Sequence, residues 1–355
     1  MNKLVTTAIA LTAVSASAFA TDNGWVSLDQ EINNLNASLS AQNATGPKVG
    51  GFVRVRYMNS GDVAITDPVS GTDHDLSGFN LDNVRVEIAG DAGSDYSYKV
   101  SFDIASGVAE LRDAYAKFQI GEQVYGKMGN FKANFLRSST VSDNKLVLLD
   151  RTILGSGAEW NSRDLGIEVG FGYDTLTFTV SAQNGTDLQG DELELCAKAA
   201  LNLMGGGVGK VEGAYGAGDQ MALTAGLAYL ADGNLDNSGA IGFEVGLTSG
   251  PFSIAGELVA LDTDDSIDFG PGGALTTADS SPWDITGSYL FSDMWEGVVR
   301  YEDADDADNS NQMTFGVNYF VSGHDIKWTA EYIAFTSDNA IGDVNVIALG
   351  LAVSM

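Results

Sequence analysis

The chain has 355 residues, of which 43 are glycine, 5 proline and 1 cysteine, and its 48 acidic and 18 basic side chains give a formal net charge of −30. This charge argues against a nucleic-acid partner, because the phosphates would be repelled. A single cysteine excludes an intrachain disulfide. Many glycines beside few prolines favour close-packed strands and tight turns over a helical domain.

Residues 1–20 have the features of a secretory signal peptide. Lys3 supplies a positive start, residues 4–14 form an apolar run, and residues 18–20 read AFA, a small-residue cleavage pattern. A short N-terminal membrane helix is the alternative, but the apolar run is too short to span a bilayer comfortably. We expect cleavage after Ala20 and an exported mature chain.

Residues 21–47 predict a short helix and a linker in front of the main domain. The residues that follow heptad spacing are Leu28, Ile32, Leu35 and Leu39. The helix should end before the Gly-Pro pair at 46–47. Two interpretations stay open: an amphipathic helix that packs on its own chain, or a coiled coil that self-associates.

From residue 48 onward the sequence predicts antiparallel strands. In the stretch GFVRVRY at 51–57, valine and tyrosine alternate with Arg54 and Arg56, which places the apolar and basic side chains on opposite faces. The same alternation occurs at 84–88, 96–104, 114–120, 165–171, 176–182, 193–203, 221–229, 241–247, 252–258, 283–291, 295–301, 313–321, 326–334 and 349–355. Strands of about ten residues suit a tilted membrane strand.

The connections between strands alternate between short and long, as in an outer-membrane barrel with periplasmic turns and external loops. Reading the glycine-rich stretch 205–220 as an irregular turn keeps this order and predicts a transmembrane all-β barrel of about 16 strands over residues 48–355. Eighteen strands stay an alternative. A soluble β-sandwich is the other possible fold, but one soluble core would normally split into domains at this length.

Residues 110–152 and 163–166 resemble the phosphate-selective porin family of Gram-negative outer membranes. The matching segments are the strand DAY at 113–115, the pattern GxF at 129–131 with Lys132 and Phe135 after it, the triplet DRT at 150–152, and RDLG at 163–166. The resemblance implies a homotrimer of 16-stranded barrels, each with its own pore. It also implies that the third loop, about residues 131–162, folds inward, and that basic side chains on the wall and on this loop attract anions.

Strand phase assigns the polar alternates to the lumen, because an Arg or Lys facing lipid at mid-membrane costs about 2–4 kcal/mol. The basic residues assigned to the lumen are Arg54, Arg56, Arg85, Lys99, Lys117 and Lys127. The acidic ones are Glu87, Asp103, Glu168, Glu194, Glu244, Glu257, Asp284, Glu296 and Glu331. We therefore expect a basic wall opposite an acidic wall. Each basic residue either contacts a passing solute or is neutralised by a neighbouring carboxylate.

The third loop adds four further candidates for solute binding: Lys132, Arg137, Lys145 and Arg151. If the loop folds inward, they lie at a constriction opposite the acidic wall, where a transverse field favours dipolar and small charged solutes. If the loop lies on the surface, they meet water. The acidic stretches 232–238, 262–268 and 302–308 are either solvated loops or calcium sites, although none keeps the full spacing of a calcium-binding loop.

These patterns predict an outer-membrane porin for passive diffusion of ions and small hydrophilic solutes, with a preference for anions or phosphate. The alternative is a non-conducting structural or adhesive barrel. We expect no enzymatic activity, no metal site and no cofactor, because His74 and His324 lie in polar connections. Cys196, on an inward face, is explained as a small filler rather than a nucleophile. The expected partners are ions, solutes and outer-membrane lipid.

Overall fold

The structure, a computed structural model, describes residues 46–66, 73–185, 192–232, 239–262, 267–268, 275–276, 280–338 and 342–355. The predicted signal peptide and the predicted heptad helix lie outside the described residues, and so do parts of the acidic stretches 232–238 and 262–268. Cleavage after Ala20, self-association of the helix and calcium binding by these two stretches therefore stay predictions.

Sixteen of the described strands form a closed antiparallel β-barrel, which confirms the predicted barrel and its strand number. The strands are β1 Lys48–Thr66, β2 Asp73–Asp91, β3 Tyr96–Asp103, β4 Glu110–Gln119, β5 Val124–Phe131, β6 Asp164–Tyr173, β7 Leu176–Gln183, β8 Glu194–Met204, β9 Ala222–Asp232, β10 Gly239–Ser249, β11 Phe252–Asp262, β12 Ile267–Asp268, β13 Leu275–Thr276, β14 Trp283–Ser292, β15 Trp295–Asp303, β16 Asn311–Ser322, β17 Ile326–Thr336 and β18 Val344–Ser354. The short strands β12 and β13 form a separate two-stranded sheet. Pairing of β1 with β18, from Phe52 opposite Ser354 to Asn59 opposite Ile347, closes the barrel.

The barrel wall is apolar outside and polar inside, and β17 illustrates this best. Its outward side chains Trp328 and Tyr332 are 41% and 42% exposed. The inward side chains Lys327, Thr329 and Glu331 are each at most 5% exposed. A protein in water would reverse this distribution. The pattern fits a wall whose apolar face lies against lipid and whose polar face lines an enclosed interior.

One connection differs in detail from the sequence prediction. Residues 59–79 lie between the predicted strands at 51–57 and 84–88, but they are largely strand, because β1 extends to Thr66 and β2 begins at Asp73. The register shifts between Ser60 and Ala64, and the two strands continue to pair beyond this irregularity as far as Thr66 opposite Asp73. The stretch 205–220 lies in the connection between β8 and β9, as predicted.

The connection between β5 and β6, residues 132–163, is the third loop of the barrel, and it packs against the inside of the wall. It contains the short helices α1 (Arg137–Thr140) and α2 (Ala158–Asn161) and two 3-10 turns, Asp143–Lys145 and Leu154–Ser156. Its apolar side chains form a buried cluster with inward residues of β8 to β11. The members of that cluster include Phe135, Leu136, Leu154, Trp160, Cys196, Ala228, Leu230, Ala240, Val259 and Leu261.

Two glycines on the inward face of the wall leave room for leucines of the third loop. A Cβ at Gly316 would lie 2.3 Å from Leu148, and a Cβ at Gly350 would lie 2.2 Å from Leu149. Such separations are far below van der Waals contact, so these leucines pack only because the wall lacks side chains there.

The described residues contain no helix long and apolar enough to cross a membrane.

Candidate functional site

The third loop is bonded to one side of the barrel through its backbone. The Arg137 N–H donates to Glu244 Oε2 (2.7 Å), and the Ser138 N–H donates to Glu257 Oε1 (2.8 Å), while the Ser138 hydroxyl donates to Glu257 Oε2. A buried N–H without a partner costs about 1–3 kcal/mol, and an ionised acceptor forms a stronger bond than a neutral one. These carboxylates therefore stabilise the loop in its inward position.

The same arrangement recurs further along the loop. The Leu149 N–H donates to Glu331 Oε2 (3.1 Å), and the Ile153 N–H donates to Glu302 Oε1 (2.7 Å). Loop carbonyls are also paired, because wall side chains donate to them. Those donors are Arg54, Arg300, Asn318 and Lys327.

The inward carboxylates on this side of the barrel form what we call the covered wall: Glu244, Glu257, Asp284, Glu296, Glu302 and Glu331. All except the half-buried Glu244 are buried, with Glu302 0% and Glu296 1% exposed. Loop N–H groups donate to four of them, and buried cations offset part of their charge, such as Lys198, which lies 2.7 Å from Glu244. The acidic wall predicted from strand phase is thus present, but it lies beneath the third loop and not opposite an open passage.

An open cavity of about 290 Å³ lies on the other side of the loop, along the inward faces of β2 to β6. We call it the basic cavity. Its basic lining residues are Arg85, Lys99, Lys117, Lys127, Lys132, Arg151, Arg163 and Lys210. Its acidic lining residues are Glu87, Asp113, Asp143 and Glu168. With eight basic and four acidic side chains, this space is positive although the whole chain is strongly negative.

Six of the ten predicted site residues therefore meet in one cavity: Arg85, Lys99, Lys117, Lys127, Lys132 and Arg151. The other four, Arg54, Arg56, Arg137 and Lys145, do not line it. Arg54 is 7% exposed and donates to the Asn83 side chain (3.0 Å).

Arg56 pairs with two carboxylates, Asp82 at 2.6 Å and Asp150 at 2.5 Å. Lys145 is exposed in its 3-10 turn.

Three wall residues of the cavity are paired with carboxylates. Arg85 lies 3.2 Å from both Asp103 and Asp143. The other pairs are Lys99 with Glu87 (3.0 Å) and Asp113 (3.3 Å), and Lys127 with Glu168 (2.9 Å). Pairing lowers their contribution to the field, but their N–H groups still face the cavity.

Lys117 differs from these three. Its ammonium lies 3.8 Å from the centre of the Tyr125 ring, and the described residues provide no carboxylate within ion-pair distance. An aromatic face attracts an ammonium group but carries no countercharge. Lys117 is therefore a source of positive charge in the cavity that no acid balances.

The loop residues Lys132 and Arg151 mainly hold the loop together. Lys132 Nζ donates to the Ser139 carbonyl (2.8 Å), and burial together with repulsion by Arg151 brings the pKa of Lys132 well below its usual range. Arg151 lies 2.5 Å from Asp143. Burial alone would raise the pKa of Asp143, but Arg151 and Lys132 outweigh it, and the pKa lies well below its usual range.

Sequence reasoning missed two basic residues of the cavity, Arg163 and Lys210. Arg163 pairs with Asp113 at 2.9 Å, and its position just before β6 was visible only as part of the RDLG segment. Lys210 lies in the glycine-rich connection after β8, and nothing in its local pattern indicates which way it points. Within the described part of the chain, no group of histidines, cysteines and carboxylates is suited to hold a metal ion.

A sequence profile described as "Phosphate-selective porin O and P" matches residues 53–354. The chain belongs to this family. The resemblance seen in the sequence is thereby confirmed, and the protein is an outer-membrane channel of a Gram-negative bacterium. No curated protein sequence gave a significant match to this porin.

Solved porin structures share the barrel fold at low sequence identity. The outer membrane channel DcaP of Acinetobacter baumannii has 17% identity and a TM-score of 0.58, over 87% of this chain and 97% of that one. The anion-selective porin from Comamonas acidovorans has 12% identity and a TM-score of 0.58, over 87% and 99%. Pseudomonas putida OprB has 9% identity and a TM-score of 0.60, over 91% and 97%. At these identities the comparison establishes the fold alone.

Proposed function

We propose that this porin is a diffusion channel that prefers small anions, which pass through the basic cavity. The observation that carries the proposal is a difference between the acidic and the basic side chains of the wall. Four of the six carboxylates of the covered wall accept hydrogen bonds from N–H groups of the third loop, whereas the open cavity has eight basic and four acidic side chains. A passing ion therefore meets mostly positive charge at short range, within the screening distance of about 8–10 Å.

The proposed solutes are inorganic and small organic anions, phosphate among them. The family description and the anion-selective structural neighbour support an anion, but neither names the solute of this porin. Dispersed lysines attract any compact oxyanion, because an ammonium group is a point charge without a fixed geometry.

Reversal potentials of the purified porin in planar bilayers test the proposal. With a potassium chloride gradient across the bilayer, we expect stepwise conductance. We also expect a reversal potential that is shifted from zero towards the equilibrium potential of chloride. A reversal potential that is shifted towards the equilibrium potential of potassium would contradict anion preference. Intact barrels that insert without any conductance steps would instead support the alternative, a non-conducting structural or adhesive barrel.

We further propose that three barrels assemble, that the signal peptide is cleaved after Ala20, and that the porin transports without a catalytic step. The family membership supports assembly as a homotrimer, and the N-terminal sequence pattern supports cleavage. The molar mass of the detergent-solubilised protein tests the first proposal. Mass spectrometry of the mature N-terminus tests the second.

A further inference from the structure

The connection between β8 and β9, residues 205–221, is unlike the other turns at its end of the barrel. The neighbouring turns span only residues 174–175, 250–251 and 293–294, whereas this segment is much longer and reaches into the lumen. We call it the inward turn. Its residues Glu212 and Ala214 are 8% and 2% exposed, which is unusual for a turn that could lie in water.

The inward turn is fixed to the barrel wall. The Ala214 N–H donates to Glu296 Oε1 (2.6 Å) and lies 3.0 Å from the Ser288 hydroxyl. A Cβ at Gly213 would lie 2.6 Å from the Glu296 carboxylate, and its φ of +86° also favours glycine. Tyr215 stacks on Phe320 at a ring distance of 3.8 Å. These contacts fix the inward turn in one position inside the lumen.

The third loop fixes the inward turn from the other side. The Arg137 guanidinium donates to the carbonyl oxygens of Gly209 (2.5 Å) and Val211 (2.6 Å), the two residues that flank Lys210. The Glu212 carboxylate accepts from the Val147 N–H (3.0 Å). Arg137 thus holds the backbone on both sides of Lys210, which determines where this side chain begins.

Lys210 itself is exposed and lines the basic cavity. Lys117 and Lys127 line the same cavity. Glu168 balances Lys127, but the described residues provide no ion pair for Lys117 or Lys210. Three ammonium groups with one paired carboxylate leave a local positive charge that attracts a mobile anion.

We infer that Lys210 determines the specificity of this porin, by forming with Lys117 and Lys127 a binding site for small polyvalent oxyanions. Arg137 is a positioning residue that acts through the backbone of the inward turn. The site lies where an element from the periplasmic end meets the strands β4 and β5. The inference rests on the proposed anion-preferring channel and adds the residues that separate dianions from chloride.

Block of chloride current by succinate tests this site. In planar bilayers, Lys210→Gln should raise the succinate concentration needed for half-block by about tenfold, the effect of losing one hydrogen bond to a charged group. Lys48→Gln is the matched control, because Lys48 is an exposed lysine at the same end of the barrel that does not line the basic cavity. It should leave the block nearly unchanged.

Chemical rescue separates the charge from any effect on folding. Lys210→Cys in a Cys196→Ala background leaves a single thiol, because Cys196 is the only native cysteine. An aminoethyl thiosulfonate reagent places an ammonium group there and should restore the block, whereas a sulfonatoethyl reagent should not. In the Arg137→Ala variant we expect a weaker block than in the wild type. Adding Lys210→Gln to Arg137→Ala should weaken the block little further.

The outcomes distinguish this inference from the proposed function. A wild-type channel that prefers cations overturns the proposed function and the inference with it. A channel that prefers anions, but in which Lys210→Gln acts no more strongly than Lys48→Gln, overturns the inference alone. Equal block after either thiol reagent also overturns it, because charge at position 210 would then be irrelevant.

Discussion

The two sides of the barrel interior differ in what their charges bind. On the covered wall, carboxylates such as Glu257 and Glu331 accept hydrogen bonds from loop N–H groups and are buried. Along β2 to β6, charged side chains line an open cavity, and Lys117 has no carboxylate partner among the described residues. A charged side chain that faces inward is therefore not automatically part of the pathway. It must also be left uncovered by the third loop.

This difference explains how a chain of net charge −30 can present a positive passage. Loops inside barrels need partners for their backbone groups, and the covered wall supplies them. The acids that seem to oppose anion transport are thus used to hold the third loop against the far side. Their removal or exposure should change selectivity more than the loss of any one basic residue.

The largest expected effect comes from displacing the third loop without changing any charge. In the double variant Gly316→Val and Gly350→Val, the new side chains occupy the space of Leu148 and Leu149. Overpacking of this kind costs about 1–3 kcal/mol at each site. We expect the loop to leave the wall, conductance to rise, and anion preference to fall or reverse as the carboxylates meet solvent.

Gly287→Val is the control for this double variant, because a Cβ at Gly287 meets no atom within 4 Å. It adds the same side chain to the barrel and should leave conductance and reversal potential unchanged. Wild-type reversal potentials in the double variant would show that the covered wall does not contribute to selectivity when exposed.

A smaller effect is expected from Glu257→Ala, which removes the acceptor of the Ser138 N–H and hydroxyl. One or two buried donors without partners cost about 1–3 kcal/mol each, so the start of the loop should detach transiently. Limited trypsin digestion after Arg137 should become faster. Glu257→Gln keeps a carbonyl acceptor and should protect the loop more than Glu257→Ala; equal cleavage of both variants would contradict the role of this acceptor.

The sequence predicts the barrel well, because alternation with period two is a local pattern that each strand carries by itself. It also assigns Glu257 and Lys117 to the interior correctly. It cannot predict that Glu257 binds Ser138, since 119 residues separate them. Nor does it show that Lys210 enters the cavity, because its glycine-rich connection has no periodicity and is placed by Arg137 and Glu296.

Loss of one unbalanced lysine should change selectivity moderately. Lys117→Ala removes a positive charge from the basic cavity, so we expect a clear decrease of anion preference in reversal-potential measurements. Lys117→Arg keeps the charge over the Tyr125 ring and should retain most of the preference. Lys145→Ala removes an exposed charge that does not line the cavity, and salt should screen its effect. An effect of Lys145→Ala as large as that of Lys117→Ala would indicate general surface electrostatics.

The smallest expected effect is a pH dependence of the inward turn. His324, in the connection between β16 and β17, packs edge-on against Tyr215 and Phe320, and burial together with repulsion by Lys327 lowers the pKa of His324 to about 4. Since a solvated histidine has a pKa of about 6.5, the docked state binds fewer protons than an undocked state. Docking is therefore strongest above pH 6.5 and weakens as the pH falls towards 4.

We expect the block of chloride current by sulfate, which stays a dianion over this range, to weaken modestly as the pH falls in the wild type. His324→Phe keeps an aromatic ring but cannot be protonated, so its block should depend less on pH. Asp325 and Lys145 also act on His324, and Asp325→Asn is the control that changes a neighbouring charge and leaves the imidazole in place. If His324→Phe retains the full pH dependence, a titratable group other than His324 is responsible for it.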